Sequence, residues 1–214
     1  MAYKVYVSPS KQEKNLYAVG NTNEAVQCNK IGDALVVALK RCGFDVMCNG
    51  TDSMDKRVRE SDAWGADLHL PIHTNAHNGE VKGTRLFCND KKGAGYRACV
   101  AIMASLAPIT PGESDSISVA RYYEIKQPKA PTAYVEVAFH DNEEEALWII
   151  SHTDEIAEAL CRGVCDHFGV KYVAPTSDIL YRVQVGAFRN KDNAKAMLAK
   201  LQAAGFKDAF IKAT

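Results

Sequence analysis

The sequence carries no surplus of either charge: 26 basic and 26 acidic residues among 214 leave a formal net charge of zero. That balance gives no steering toward nucleic acid or an anionic membrane, so a neutral or mixed-charge partner is expected. No apolar run approaches the ~20 residues needed to span a bilayer, and membrane insertion is not expected. The N-terminus, Met1-Ala-Tyr-Lys-Val-Tyr-Val, passes straight into strand-like alternation without the charged and apolar regions of a signal peptide. The expectation is a product that stays cytoplasmic until something releases it. The seven cysteines, at 28, 42, 48, 88, 99, 161 and 165, are odd in number and contain no CxxC pair, which argues against a disulfide framework and for reduced core residues. Cys161 and Cys165 share a helix face, a spacing that is more often packing than half of a zinc site. Histidine is also scarce, with six in all and none before residue 69.

What remains is an ordinary globular composition, 47% hydrophobic and 24% charged, enough for one medium domain and something small. Residues 1–173 alternate strand and helix patterns, which predicts an α/β fold with a mostly parallel sheet flanked by helices. Lys4–Ser8 alternates as a strand, and a polar loop follows through Asn23. From Glu24 the apolar residues Val26, Ile31, Leu35, Val36 and Leu39 recur at helical spacing, with Asn23 or Thr22 as cap. Phe44–Cys48 reads as a strand, Thr51-Asp52 as the opening of a polar helix, Asp67–Asn75 and Gly83–Cys88 as strands, and 93–106 as a helix. The Pro-, Gly- and Ser-rich stretch 107–121 is expected as a surface loop, Tyr122–Ile125 and Ala133–Phe139 as strands, and 153–168 as the last helix of this domain. The acidic start Asp141–Glu145 suits a helix N-terminus and is read as capping and solvated charge.

Four side chains stand where elements meet loops. In open α/β sheets ligands gather outside the carboxyl ends of the strands, and His73 closes the strand Leu68-His69-Leu70-Pro71-Ile72-His73. His69 lies about 13 Å deeper on the same strand face at roughly 3.3 Å per residue, so one ion cannot take both. An isolated strand histidine is more often a hydrogen-bonded core residue; His73 needs partners. Glu136 sits in the apolar strand Ala133–Phe139, where a carboxylate is costly unless paired or metal-bound. Glu24 opens a helix and His140 follows the Glu136 strand. Zinc asks for three nitrogen or oxygen ligands with an open position, and hydrolysis asks for a separate carboxylate to move protons. Glu24, His73, His140 and Glu136 would supply that set.

The segments KVYVSPSKQ, GNTNEA with Glu24, DLHLPIHTNAHNG with His73, KGTRLFC and PTAYVEVAFHDNEEEA with Glu136 occur in this order. Together they resemble the zinc-dependent N-acetylmuramoyl-L-alanine amidases of cell-wall hydrolases and phage endolysins. The resemblance implies a zinc hydrolase of peptidoglycan in which Glu24 and His73 hold the ion and Glu136 is the catalytic carboxylate. One departure stands out. These amidases carry a first zinc-binding histidine just after strand one, whereas this chain has Ser8-Pro9-Ser10-Lys11-Gln12. His140 is taken as the substitute ligand, with His77 second. Ser10 and Gln12 are poor zinc ligands and are expected to contact substrate or orient a ligand; Asn75, Tyr17 and Arg121 are further expected contacts. The alternative from another class is a non-catalytic wall-binding descendant of the same fold.

Residues 174–178 read as a linker and 179–214 as a strand, helix, strand unit. YRVQVGAF followed by NAKAMLAKLQAAGF resembles one half of a SPOR module, a peptidoglycan-binding domain of two βαβ halves. Thirty-odd residues cannot bury a free-standing core, so a homodimer through two such halves is expected. A phage or prophage endolysin is the role this combination implies.

Overall fold

The computed structural model describes residues 2–48, 53–176, 185–207 and 209–211. The chain divides into two compact units, Met1–Pro175 and Thr176–Thr214. The larger is built on a six-stranded sheet of β1 (Lys4–Pro9), β2 (Asp45–Met47), β3 (Leu68–Asn75), β4 (Arg85–Cys88), β5 (Ser116–Val119) and β6 (Tyr134–Phe139), in the order β2-β1-β3-β6-β4-β5. All neighbours are parallel except β4 and β6. The helices are α1 (Glu24–Arg41), α2 (Met54–Trp64), α3 (Ala94–Leu106), α4 (Tyr123–Lys126), α5 (Glu143–Ser151) and α6 (Thr153–Phe168). The expected α/β architecture with a mostly parallel sheet is borne out.

Strand side chains alternate between faces, and here the two faces differ in chemistry. Val5, Val7, Leu68, Leu70, Ile72, Val135 and Val137 point into one continuous apolar core shared with Ile31, Leu35, Ile102, Leu160 and Val164 of α1, α3 and α6. The opposite positions, Tyr6, Ser8, His69, His73 and Glu136, are polar. On this face Glu124 of α4 is buried, accepting from Arg57 Nη2 at 3.0 Å, meeting His69 Nε2 at 3.3 Å and bonded by the Ser8 hydroxyl. The buried ion pair replaces an apolar layer there, and it fixes α2 and α4 against β1 and β3.

Local readings fail where a neighbour decides the structure. Tyr122–Ile125, expected as a strand, is helical from Tyr123 to Lys126; a short apolar run does not distinguish the two, and the turn brings Glu124 onto Arg57. The stretch 107–121 is not loop throughout: Ala107–Ile109 forms a 3₁₀ turn and Ser116–Val119 pairs with β4. The polar helix begins at Met54 under a Ser53 cap, while Thr51 and Asp52 lie outside the described residues. Glu145 is not solvated charge. It is fully buried and accepts the backbone N–H groups of Gly83 and Phe139, each at 2.7 Å.

The smaller unit contains α7 (Lys191–Ala203), capped by the Asn190 side chain. Its stripe of Ala194, Met197, Leu198 and Leu201 is half-buried, and no residue of the helix is fully buried. The strands expected around 181–188 and 207–213 fall partly outside the described residues, and 185–188 and 209–211 are not extended into a ladder. A strand needs a partner for its backbone groups, and this half-module offers none among its described residues. No helix among the described residues is long and apolar enough to cross a membrane.

Candidate active site

The site forms where the N-terminus of α1 meets the carboxyl ends of β1, β3 and β6. Asn23 caps α1, its side chain accepting from Val26 N at 2.9 Å. Glu24 N donates to Asn15 O at 2.9 Å, so the loop leaving β1 is drawn back over the helix start. This puts Glu24, buried at 1% exposure, in the first turn where the helix dipole favours a carboxylate. Its Oε1 lies 2.8 Å from His73 Nδ1, and its Oε2 accepts from Asn15 Nδ2 at 2.6 Å. Burial alone would raise the Glu24 carboxyl, but the hydrogen bond and charge of His73, with the Asn15 and Ser10 hydrogen bonds, hold it below the ordinary range.

Gln12 completes this cluster. Its Nε2 is 3.3 Å from His73 Nδ1 and 3.5 Å from Glu24 Oε1, while its Oε1 accepts from Asn15 Nδ2 at 3.2 Å. Three polar atoms from three elements therefore converge on one spot. Tyr134 stacks on the His73 imidazole with centroids 4.5 Å apart, fixing the ring plane.

Glu136 is the register partner of His73 across the parallel β3–β6 pair, so both side chains rise from the same face. Its Oε2 is sealed from solvent with no hydrogen-bond partner among the described residues. Burial, then the nearby negative charge of Glu24, pushes its carboxyl well above the ordinary value. Glu136 as a whole is half-buried, but a carboxyl oxygen sealed without a partner costs stability, and such groups concentrate at functional sites. The register shifts between His73 and Asn75, where Asn75 pairs with Phe139. Bulges of this kind re-aim side chains beside active sites.

The bulge also explains the residue that does not join. His140 is not brought to Glu24 and His73: its Nδ1 lies 3.0 Å from both Thr74 Oγ1 and Thr74 O, and its ring stacks on Tyr17 at 5.2 Å. Tyr17 in turn donates to Thr74 Oγ1 at 3.1 Å. Strand periodicity would have kept positions 136 and 140 on one face, but the extra residue in β6 breaks it. Among the described residues, the three His, Cys, Asp or Glu side chains whose ligand atoms all fall within 4.8 Å of one another are Cys42, Cys161 and Cys165, buried between α1 and α6. They are far in the fold from the polar face, and their burial pushes the Cys161 and Cys165 thiols up, Cys165 to about 12.

Of the expected substrate contacts, Asn75 lines an open cavity of about 340 Å³ with Arg85, Phe87, Ser116, Ser118 and Phe139. Ser10 is fully buried, with its hydroxyl accepting from Gln12 N at 3.3 Å, which makes it a positioning residue. Gln12 belongs to the Glu24–His73 cluster, His77 and Arg121 are exposed, and Tyr17 is buried in the Thr74–His140 network. Sequence reasoning missed Asn15 and Tyr134. Asn15 carries no spacing signal, since it acts through contacts between separate elements; Tyr134, two residues before Glu136 in β6, shares its strand face, and that alternation was the available signal.

Residues 5–166 match the family described as N-acetylmuramoyl-L-alanine amidase, and residues 177–214 match the SPOR domain. The chain is similar to the N-acetylmuramoyl-L-alanine amidase CwlM of Bacillus licheniformis, with 29% identity over 159 residues, covering 73% of this chain and 61% of that protein. It is also similar to the sporulation-specific N-acetylmuramoyl-L-alanine amidase of Bacillus subtilis (strain 168), with 26% identity over 213 residues, covering 95% of this chain and 82% of that protein. In fold it is similar to the catalytic domain of CwlV, the amidase of Bacillus (Paenibacillus) polymyxa var. colistinus, with a TM-score of 0.71 at 16% identity over 80% of this chain and 100% of that domain.

Proposed function

The chain belongs to the N-acetylmuramoyl-L-alanine amidase family, and on that footing we propose that it hydrolyses the amide joining N-acetylmuramic acid to L-alanine in peptidoglycan, with zinc held at Glu24 and His73 and Glu136 carrying protons. The donor set supports the ion. His73 Nδ1 and Glu24 Oε1 face one another at 2.8 Å, and the Gln12 side chain closes the third side at 3.3 and 3.5 Å from them through its Nε2. Glu24 and His73 are strong ligands. Gln12 stands at the third place but presents its Nε2 there while its oxygen accepts from Asn15; an amide nitrogen does not ligate and an amide oxygen is a weak ligand, so the ion would be held less firmly than by three strong donors.

Zinc, when bound, supplies Lewis-acid polarisation of the scissile carbonyl and lowers the pKa of water. The protein's own share is positioning and proton transfer. Tyr134 and Glu24 hold the His73 ring, and Asn15 holds Glu24 and Gln12. Glu136, in register with His73 and on the same face of the sheet, is placed to take the proton of the attacking water and return it to the departing amine of L-alanine. The observation that carries this reading is Glu136 itself: a half-buried glutamate whose Oε2 is sealed and has no partner among the described residues, in register with His73.

The SPOR segment would hold the enzyme to its polymer. Val185, Phe188, Phe206, Phe210 and Ile211 of the smaller unit are exposed, which supports pairing of two chains through this half-module. The weak third ligand favours a second reading, a wall-binding descendant without catalysis. Incubation with purified peptidoglycan separates the two. The amidase releases new L-alanine amino groups without new reducing sugar ends and stops when chelator is added; the binding protein sediments with the polymer and releases neither.

A further inference from the structure

The cavity beside the site has in its wall an arginine, Arg85, that no carboxylate partners among the described residues. Arg85 pairs in register with Glu136 across the antiparallel β4–β6 ladder, the place where a carboxylate and a guanidinium ordinarily join. They do not join here. Arg85 Nη2 donates instead to Ser114 Oγ at 2.9 Å, and its guanidinium lies 5.5 Å above the centre of the Phe139 ring. Its Nη1 has no acceptor among the described residues, as Glu136 Oε2 has no donor, and the Arg85 side chain lines the cavity. A guanidinium edge without an acceptor is unfavourable, and a bound anion would supply one.

What the cavity does offer is a match for an anion. Ser116 stands opposite Arg85 on β5, and Ser118 follows two residues on, on the same face. Both hydroxyls line the cavity with Asn75, two residues beyond His73 on β3, and the aromatic walls are Phe87 and Phe139. Guanidinium, two hydroxyls and a primary amide suit a planar, bidentate acceptor. The backbones of adjacent strands lie about 4.8 Å apart, and an extended peptide advances roughly 3.3 Å per residue. From a bond broken at Glu136, the cavity is therefore reached by the second residue of a peptide lying across the strand ends.

We infer that this cavity is a carboxylate subsite, in which Arg85 with Ser116 and Ser118 holds a free carboxylate on the residue following L-alanine in the leaving peptide. The inference rests on the amidase reading for the identity of that peptide. It makes the protein selective for stems whose second residue carries a free carboxylate over stems in which that group is amidated. Nothing in the Glu24–His73 cluster makes that distinction.

The test uses full-length chains carrying Glu136→Gln, so that ligands bind without turnover, and two muramoyl dipeptides identical except for a free or amidated side carboxylate. Isothermal titration should show the free acid binding about 10–100-fold more tightly, in line with a hydrogen-bonded charge pair. Adding Arg85→Met should bring that ratio close to one, with Arg85→Lys between, while the binding of the amidated peptide changes little. Equal affinities in the Arg85 chain, no binding of either peptide, or a preference that survives Arg85→Met would each overturn the inference. If Arg85→Met does not fold, the free-to-amidated ratio in the Arg85 chain and Arg85→Lys decides. Failure of the amidase reading shows differently: unequal binding persists, but the Glu136 chain releases no amino groups from either peptide.

Discussion

The buried Glu124–Arg57 pair should make the larger unit acid-labile in a defined window. Glu124 is 1% exposed. Burial would raise its carboxyl, but the His69 hydrogen bond, the Arg57 charge and the Ser8 hydroxyl overcome that and bring it from the ordinary 4.5 to about 2. At roughly 1.4 kcal/mol per pH unit, this amounts to about 3 kcal/mol of folding free energy. Because the folded value is depressed, the contribution is fully present above pH 4.5, fades as pH falls, and is gone by about pH 2. Glu124→Gln removes the titrating group while keeping its shape. Urea unfolding of both chains at pH 7, 5, 4, 3 and 2 should show the wild type more stable by about 3 kcal/mol at pH 7, with the gap closing over the last three steps. Other carboxylates titrate in both proteins and cancel in the difference. Parallel stability curves down to pH 2 would show that Glu124 and Arg57 do not act as a charge pair, and would refute the reasoning.

Other perturbations follow from the same geometry. Glu136→Gln should lower amide hydrolysis by about 10²–10⁴-fold without lowering the unfolding midpoint, as measured by amino-group release and circular dichroism. Gln12→His should raise zinc affinity at least about tenfold by giving the ion a third strong ligand, as read by competition with a chromogenic chelator; unchanged affinity would remove Gln12 from the ion's surroundings. Replacing Cys42, Cys161 and Cys165 together by alanine should leave bound zinc unchanged by elemental analysis, since those thiols pack the core between α1 and α6. Glu145→Ala should cost about 2–4 kcal/mol in denaturant unfolding, because it leaves the Gly83 and Phe139 N–H groups buried without acceptors.

By itself the sequence determined the alternation of strands and helices, the polar ends on which a site could form, and three of the residues proposed for it. The strand and helix readings rest on period: apolar residues every second or every third to fourth position fix which face is buried, and a lone carboxylate such as Glu136 stands out against that pattern, whereas Glu24 was reached through its place at a helix start and the family resemblance. His73 was legible for the same reason, as the last residue of an apolar strand. Periodicity says nothing about register between strands, and register is what placed Glu136 beside His73, set Arg85 opposite Glu136 and inserted the bulge that turned His140 toward Thr74. Nor does it show where a loop folds back. Only the tertiary structure brought Gln12 and Asn15 over the start of α1, because their positions follow from hydrogen bonds between residues far apart on strands, loop and helix rather than from anything neighbouring residues share.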